Sequence, residues 1–181
     1  MASSPQVANP LEVYLHTTFR PDCDYVDGQI LERNVGEGEH SFVQGYLVAL
    51  FWQNRMEWKV VVYPEQRIQV SPTRYRIPDV CVVSDQAPFE SVLTRPPLLC
   101  IEILSSEDRW PRMTERLEDY RAMGVPSLWV IDPLETKAWA WSRNTPGADW
   151  EETTVLTVPE TPIRVDAAAI FLELAERKRK G

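Results

Sequence analysis

Two short apolar runs, each broken by a single carboxylate, constrain this chain more than any other feature. Arg76-Ile77-Pro78-Asp79-Val80-Cys81-Val82-Val83 and Leu98-Leu99-Cys100-Ile101-Glu102-Ile103-Leu104 have strand length and are rich in Val, Ile and Leu. An acidic group inside a run that belongs in a core is costly unless something neutralises it. Placed side by side, the two strands would give Asp79 and Glu102 a shared cation. Mg2+ takes oxygen ligands, usually one or two carboxylates with waters and a phosphate. The main-chain carbonyl of Ile103 is a natural third ligand. An ion so held lowers the pKa of a bound water and stabilises charge on a phosphate in the transition state. A plainer reading stands beside this one: Asp79, following a proline, is a turn or edge residue, and Glu102 pairs with one of the 15 arginines.

The length of 181 residues fits one domain with a sizeable core, expected over residues 9–181 behind a loose polar segment 1–8. No apolar run approaches the length of a bilayer span. Met1 to Pro10 lacks the basic and apolar regions of a secretory leader. These features lead to the expectation of a cytoplasmic protein with no membrane partner. Cys23, Cys81 and Cys100 form no Cys-x-x-Cys pair, which argues against a thiolate zinc site. Cys81 and Cys100 read instead as small buried hydrophobes. The net charge of -8 argues against non-specific attraction to nucleic acid, although a local basic patch is compatible with it.

Along the chain, Asn9-Pro10 places an N-cap beside a proline at the first helical position, opening a short helix from Leu11 to Phe19. Asp27-Gly28 predicts a hairpin turn within Tyr25 to Glu32. Phe42, Val43, Tyr46, Leu47, Leu50 and Phe51 recur at helical spacing, so Glu39 to Trp58 reads as a long helix. Val60 to Tyr63 and Arg67 to Val70 read as strands, and Ser71-Pro72-Thr73 turns the chain directly into the Asp79 strand. After the Glu102 strand, Ser105-Ser106-Glu107-Asp108 offers caps and Pro111 suits a first turn for a helix that Gly124 ends. Leu128 to Ile131, Ala138 to Trp141 and Glu152 to Thr157 read as strands, with a turn at Pro146-Gly147. Asp166 caps a last helix whose Lys-Arg-Lys end suits the dipole. The expected order is helix, hairpin, long helix, four strands, helix, three strands, helix. This is an α+β arrangement with one central mixed sheet flanked by helices.

Pro78-Asp79, Glu102-Ile103-Leu104, Glu115 to Tyr120, Gly124-Val125-Pro126 and Trp129-Val130-Ile131-Asp132-Pro133, in this order and spacing, resemble the Uma2 family. That family is described as a restriction-endonuclease domain within the PD-(D/E)xK nuclease superfamily. The likeness runs from about residue 10 to 175 and takes in the Asp27-Gly28 hairpin and the His40 helix. It implies a restriction-endonuclease-like core, Mg2+-dependent hydrolysis of phosphodiester bonds (with Mn2+ as a substitute), and a homodimer. The implied partner is nucleic acid, DNA ahead of RNA. Asp79 falls on the metal-binding Asp, and Glu102 on the acidic residue of the third motif.

One slot departs from the pattern. The superfamily has Lys two residues after Glu102, where this chain has Leu104. The resemblance implies that a Lys on the following helix takes that role, and the matching residue is Arg116. Arg carries charge and clamps phosphate but is effectively never deprotonated, so Arg116 is either an electrostatic stabiliser or a solvated partner of Asp119. His40 either orients a water or substrate or is a structural helix-start residue. Glu32, Glu65 and Gln66 are rim candidates. Arg109, Arg112 and Arg121 form either a phosphate-contacting patch or a solvated helix face. Trp139 and Trp141 are core or dimer-contact residues before they are base-stacking platforms. A nuclease-fold binding module without catalysis is the alternative function.

Overall fold

The computed structural model describes residues 9–33, 36–106, 110–144 and 150–180, with only the backbone of Trp110 and Pro111. The 1–8 segment, the Glu107 and Asp108 caps, Arg109 and the Pro146-Gly147 turn lie outside the described residues. Helix α1 (Pro10–His16) begins at Asn9, whose side chain accepts from Leu11 N. It is shorter than the Leu11 to Phe19 expectation, because the chain bends into strand β1 (Cys23–Val26), which pairs with β2 (Gln29–Glu32). Asp27 and Gly28, both at positive φ, make the expected turn.

Helix α2 (Gly38–Trp58) buries Val43, Leu47 and Phe51 along one stripe. The chain then runs through β3 (Val60–Pro64), β4 (Ile68–Ser71), β5 (Arg74–Arg76), β6 (Val80–Ser84) and β7 (Leu99–Ile103) before α3 (Trp110–Met123). It ends with β8 (Ser127–Asp132), β9 (Lys137–Ser142), β10 (Glu151–Glu152), β11 (Val155–Thr157), β12 (Arg164–Asp166) and α4 (Ala167–Arg179). Asp166 caps α4 by accepting from Ala168 N and Ala169 N.

The fold class is α+β, but among the described residues the strands fall into three sheets rather than one. The central sheet has six strands in the order β10-β9-β8-β7-β6-β3, with β7 and β8 parallel and the other pairs antiparallel. A four-stranded sheet, β2-β1-β5-β4, joins the N-terminal hairpin to an excursion between β3 and β6. That excursion corrects the expectation that Ser71 to Thr73 leads straight into the Asp79 strand. Strand β3 ends on Pro64, which has no N–H to continue a ladder. β5 finds partners in β4 and in β1, where Tyr25 stands opposite Tyr75. The single strand expected over Glu152 to Thr157 is two, because β10 pairs with β9 while β11 pairs with β12.

Side-chain alternation assigns the faces of the central sheet. Val80, Val82, Leu99, Ile101 and Ile103 meet Val43, Leu47 and Phe51 of α2 and Ile170 and Leu174 of α4. Cys81, Val83, Cys100, Leu128 and Val130 meet Met113, Leu117 and Tyr120 of α3. A third cluster, Tyr14, Cys23, Tyr25 and Tyr75, holds α1 on the smaller sheet. β7 is buried on both faces along its whole length, so Glu102 is carried into the interior by a strand that cannot leave it.

Ion pairs lock α3 onto the smaller sheet. Arg76 Nη1 donates to Asp24 Oδ2 at 2.8 Å and Arg76 Nε to Asp119 Oδ2 at 2.7 Å. Arg74 bridges Asp27, Asp119 and Glu115. Asp24 and Arg76 are both buried, whereas Glu115 is largely exposed. Removing one member of a buried pair strands the other charge, at about 3–5 kcal/mol, while exposed pairs contribute about 0–1 kcal/mol. Arg76 keeps Asp119 when Asp24 is removed, so Asp24→Ala is expected to lower urea stability by about 3 kcal/mol, the lower end of that range, and Glu115→Ala by no more than about 1 kcal/mol. Equal losses from the two variants would contradict this ranking.

Candidate active site

The antiparallel register of β6 and β7 pairs Val80 with Ile101. Continued by one residue, it sets Asp79 across from Glu102, both on the α3 face of the sheet. Asp79 sits at the bend just before β6, where the ladder has ended. Its Oδ2 takes over the role of the missing strand and accepts from Ile103 N at 2.7 Å. The sequence reasoning that put two acidic residues on adjacent strands thus corresponds to a real juxtaposition.

Four further side chains converge on the pair. Arg33, immediately after β2, donates from Nη2 to Asp79 Oδ1 at 2.6 Å, and the same nitrogen is 3.8 Å from Glu102 Oε2. Arg116 Nη2 lies 3.3 Å from Glu102 Oε2. Tyr120 OH donates to Glu102 Oε1 at 2.7 Å. His40 Nε2, from the first turn of α2, lies 3.3 Å from Asp79 Oδ2. Gly36 is needed beside that ring, since a Cβ there would come within 2.5 Å of His40 Nδ1. Gln44 Nε2 donates to the Asp79 carbonyl at 3.0 Å and to Glu65 Oε1 at 3.3 Å.

Both carboxylates are buried, yet their environments differ. Burial alone would raise the Asp79 carboxyl, but Arg33, His40 and the Ile103 N–H outweigh it and hold Asp79 well below the usual carboxylate range. For Glu102 burial wins. Arg116 opposes it, the Asp79 charge adds to it, and the carboxyl is pushed up to about 7. Burial also raises the Tyr120 hydroxyl well above its ordinary value, which keeps it a donor. Two carboxyls driven apart in this way are a recurring acid-base arrangement.

Asp79, Arg33 and His40 form one wall of a cleft of about 640 Å3 that Glu65 and Asp22 also line. On the other side Arg33 and Arg116 border a cavity of about 40 Å3 with Arg112 and Glu32 at its edge. The sequence left Arg116 between two roles. Here it is buried and faces Glu102, while Asp119 is taken by Arg74 and Arg76. Leu104, at the position where the resemblance led to the expectation of a lysine, packs in the core with Met113 and Leu117. Gln66 points elsewhere, donating to the Arg67 and Ser91 carbonyls. Arg121 is stacked 4.3 Å over the Trp141 ring, and Arg112 is exposed.

Sequence reasoning missed Arg33, Tyr120 and Gln44. Tyr120 carried a usable signal, standing one helical turn after Arg116 on the same face. Arg33 carried none, because it is 46 residues from Asp79 and reaches it through a sheet that periodicity did not reveal. As a donor set for a divalent ion, the hard oxygens of Asp79 and Glu102 fit. Glu102 Oε2 is buried and accepts no hydrogen bond among the described residues. The space between the two carboxylates is where the Arg33 guanidinium reaches. Among the described residues no three His, Cys, Asp or Glu side chains cluster as a metal site, so any ion here relies on main-chain, water or substrate oxygens.

Residues 12–175 match the model of the Uma2 family, described as "Putative restriction endonuclease". A crystal structure from Anabaena variabilis, described as "a putative nuclease belonging to DUF820", aligns with a TM-score of 0.79 at 19% identity. The alignment covers 93% of this chain and 99% of that one. At that identity the likeness shows a shared fold. No curated protein matches the sequence. Among the described residues no helix is long and apolar enough to cross a membrane.

The raised carboxyl has a stability signature. Glu102 ordinarily titrates at 4.5 and in the fold near 7, so between those values the folded state holds the extra proton and stability falls as pH rises. Asp79, with its carboxyl lowered from 3.8, contributes stability above that value and loses it on further acidification. In chelator, Glu102→Gln is expected to flatten the fall in Tm between pH 4.5 and 7. An unchanged slope would place the titration on another group.

Proposed function

The chain belongs to the Uma2 family, and from that premise we propose that it is a metal-dependent phosphodiester hydrolase of the PD-(D/E)xK type. Its substrate would be nucleic acid, DNA ahead of RNA. The observation that carries this reading is the opposition of Asp79, which lines the cleft, and Glu102, whose buried Oε2 faces Arg33 and Arg116 but accepts no hydrogen bond among the described residues. The ion would be held by the two carboxylates and the Ile103 carbonyl, and when bound would supply an activated water and charge stabilisation at the phosphate.

The remaining roles belong to the chain itself. Asp79 stays ionised at neutral pH because Arg33 and His40 offset its burial. Tyr120 fixes the Glu102 carboxylate in one orientation through Oε1, leaving Oε2 toward the ion. His40, at the cleft wall, orients a water or phosphate oxygen. Arg116 stabilises negative charge and, being permanently protonated, is not a general base. Leu104 keeps solvent from the strand side of the pair.

One observation favours the alternative, a binding module without catalysis: two guanidinium groups already face the two carboxylates. The readings separate on purified protein incubated with plasmid, single-stranded DNA and RNA across Mg2+ and Mn2+. Cleavage is expected to depend on the metal and to fall about a hundredfold or more in Asp79→Asn and in Glu102→Gln. Metal should raise Tm in the wild type and leave the Asp79→Asn value unmoved. Cleavage surviving in the double variant would mark a contaminant and favour the module.

A further inference from the structure

The space that a divalent ion needs is claimed by a residue of the chain. Mg2+ bonds oxygen at about 2.0–2.1 Å and demands near-octahedral geometry. Arg33 Nη2 already stands 2.6 Å from Asp79 Oδ1 and 3.8 Å from Glu102 Oε2, so a nitrogen carrying positive charge lies between the would-be ligands. Steric overlap and like-charge repulsion both exclude a second cation while it remains. The backbone of Arg33 is pinned, its N–H donating to the Asp22 carbonyl at 2.9 Å, so any exchange is a side-chain movement. Room exists for that movement. The guanidinium borders the 640 Å3 cleft, whose wall also carries Asp22 and Glu65 as alternative anionic partners.

We infer that Arg33 is the resident cation of the Asp79–Glu102 site, and that a divalent ion binds by displacing its side chain into the cleft. This rests on the metal-dependent reading above. Arg33 then sets metal affinity, because the apparent dissociation constant is the intrinsic one divided by the fraction of molecules with Arg33 displaced. Through this device the protein stays electrostatically paired without metal and binds the ion more weakly than the two carboxylates alone would.

Manganese chloride titrated calorimetrically into chelator-stripped protein tests the idea. Arg33→Met is expected to bind Mn2+ about tenfold or more tighter than the wild type, and Arg33→Met with Asp79→Asn to lose the site. Equal affinities in wild type and Arg33→Met would overturn the displacement while leaving the metal site standing. Absence of binding to either would overturn both. Should Arg33→Met fail to fold, the wild type answers by NMR with Mg2+. The Ile103 amide, bonded to Asp79, reports arrival of the ion, and the Arg33 Nε–Hε signal, assigned with Arg33→Lys, reports displacement. Movement of both supports the inference. Movement of Ile103 alone overturns it, and movement of neither removes the metal reading as well.

Discussion

Two buried carboxyl groups facing each other across neighbouring strands require compensating positive charge or a bound proton. Most of what surrounds Asp79 and Glu102 follows from that requirement. Arg33 and Arg116 supply the charge, while His40, Tyr120 and the Ile103 N–H supply oriented hydrogen atoms. Arg116 and Tyr120 share α3 and the others come from three further parts of the chain, so the N-terminal hairpin, α2, β7 and α3 all converge on one point. The ion pairs of Arg74 and Arg76 serve the same end, since they fix α3 on the smaller sheet and thereby aim Arg116.

Because the carboxylates sit in unequal surroundings, one stays ionised and the other is held near neutrality. Arg33 reaches Asp79 directly but stands further from Glu102, whose burial is therefore less fully offset. Asp79 lines the cleft, whereas Glu102 lies fully buried behind it.

Much of this was legible in the sequence, and the boundary of what was legible has a physical cause. Local signals worked: the Asp27-Gly28 turn, the helical stripe of Val43, Leu47 and Phe51, the Asp166 cap and the Gly124 stop all depend on residues close in the chain. Opposition of Asp79 and Glu102 was readable because two adjacent strands share one period. Partition of the strands was not readable, since the choice of β5 for β1 rather than the central sheet is made by Tyr25 and Tyr75 packing with Tyr14. Arg33 escaped for the same reason. Its partners lie across that second sheet, and nothing in its neighbourhood marks it off from the other arginines.

A crystal soaked in Mn2+, with data collected for anomalous scattering, addresses the central claim directly. One anomalous peak is expected between the carboxylate oxygens of Asp79 and Glu102, with the Arg33 side chain moved away from both. A crystal saturated with Mn2+ that shows no peak there, and Arg33 still bonded to Asp79, would contradict it.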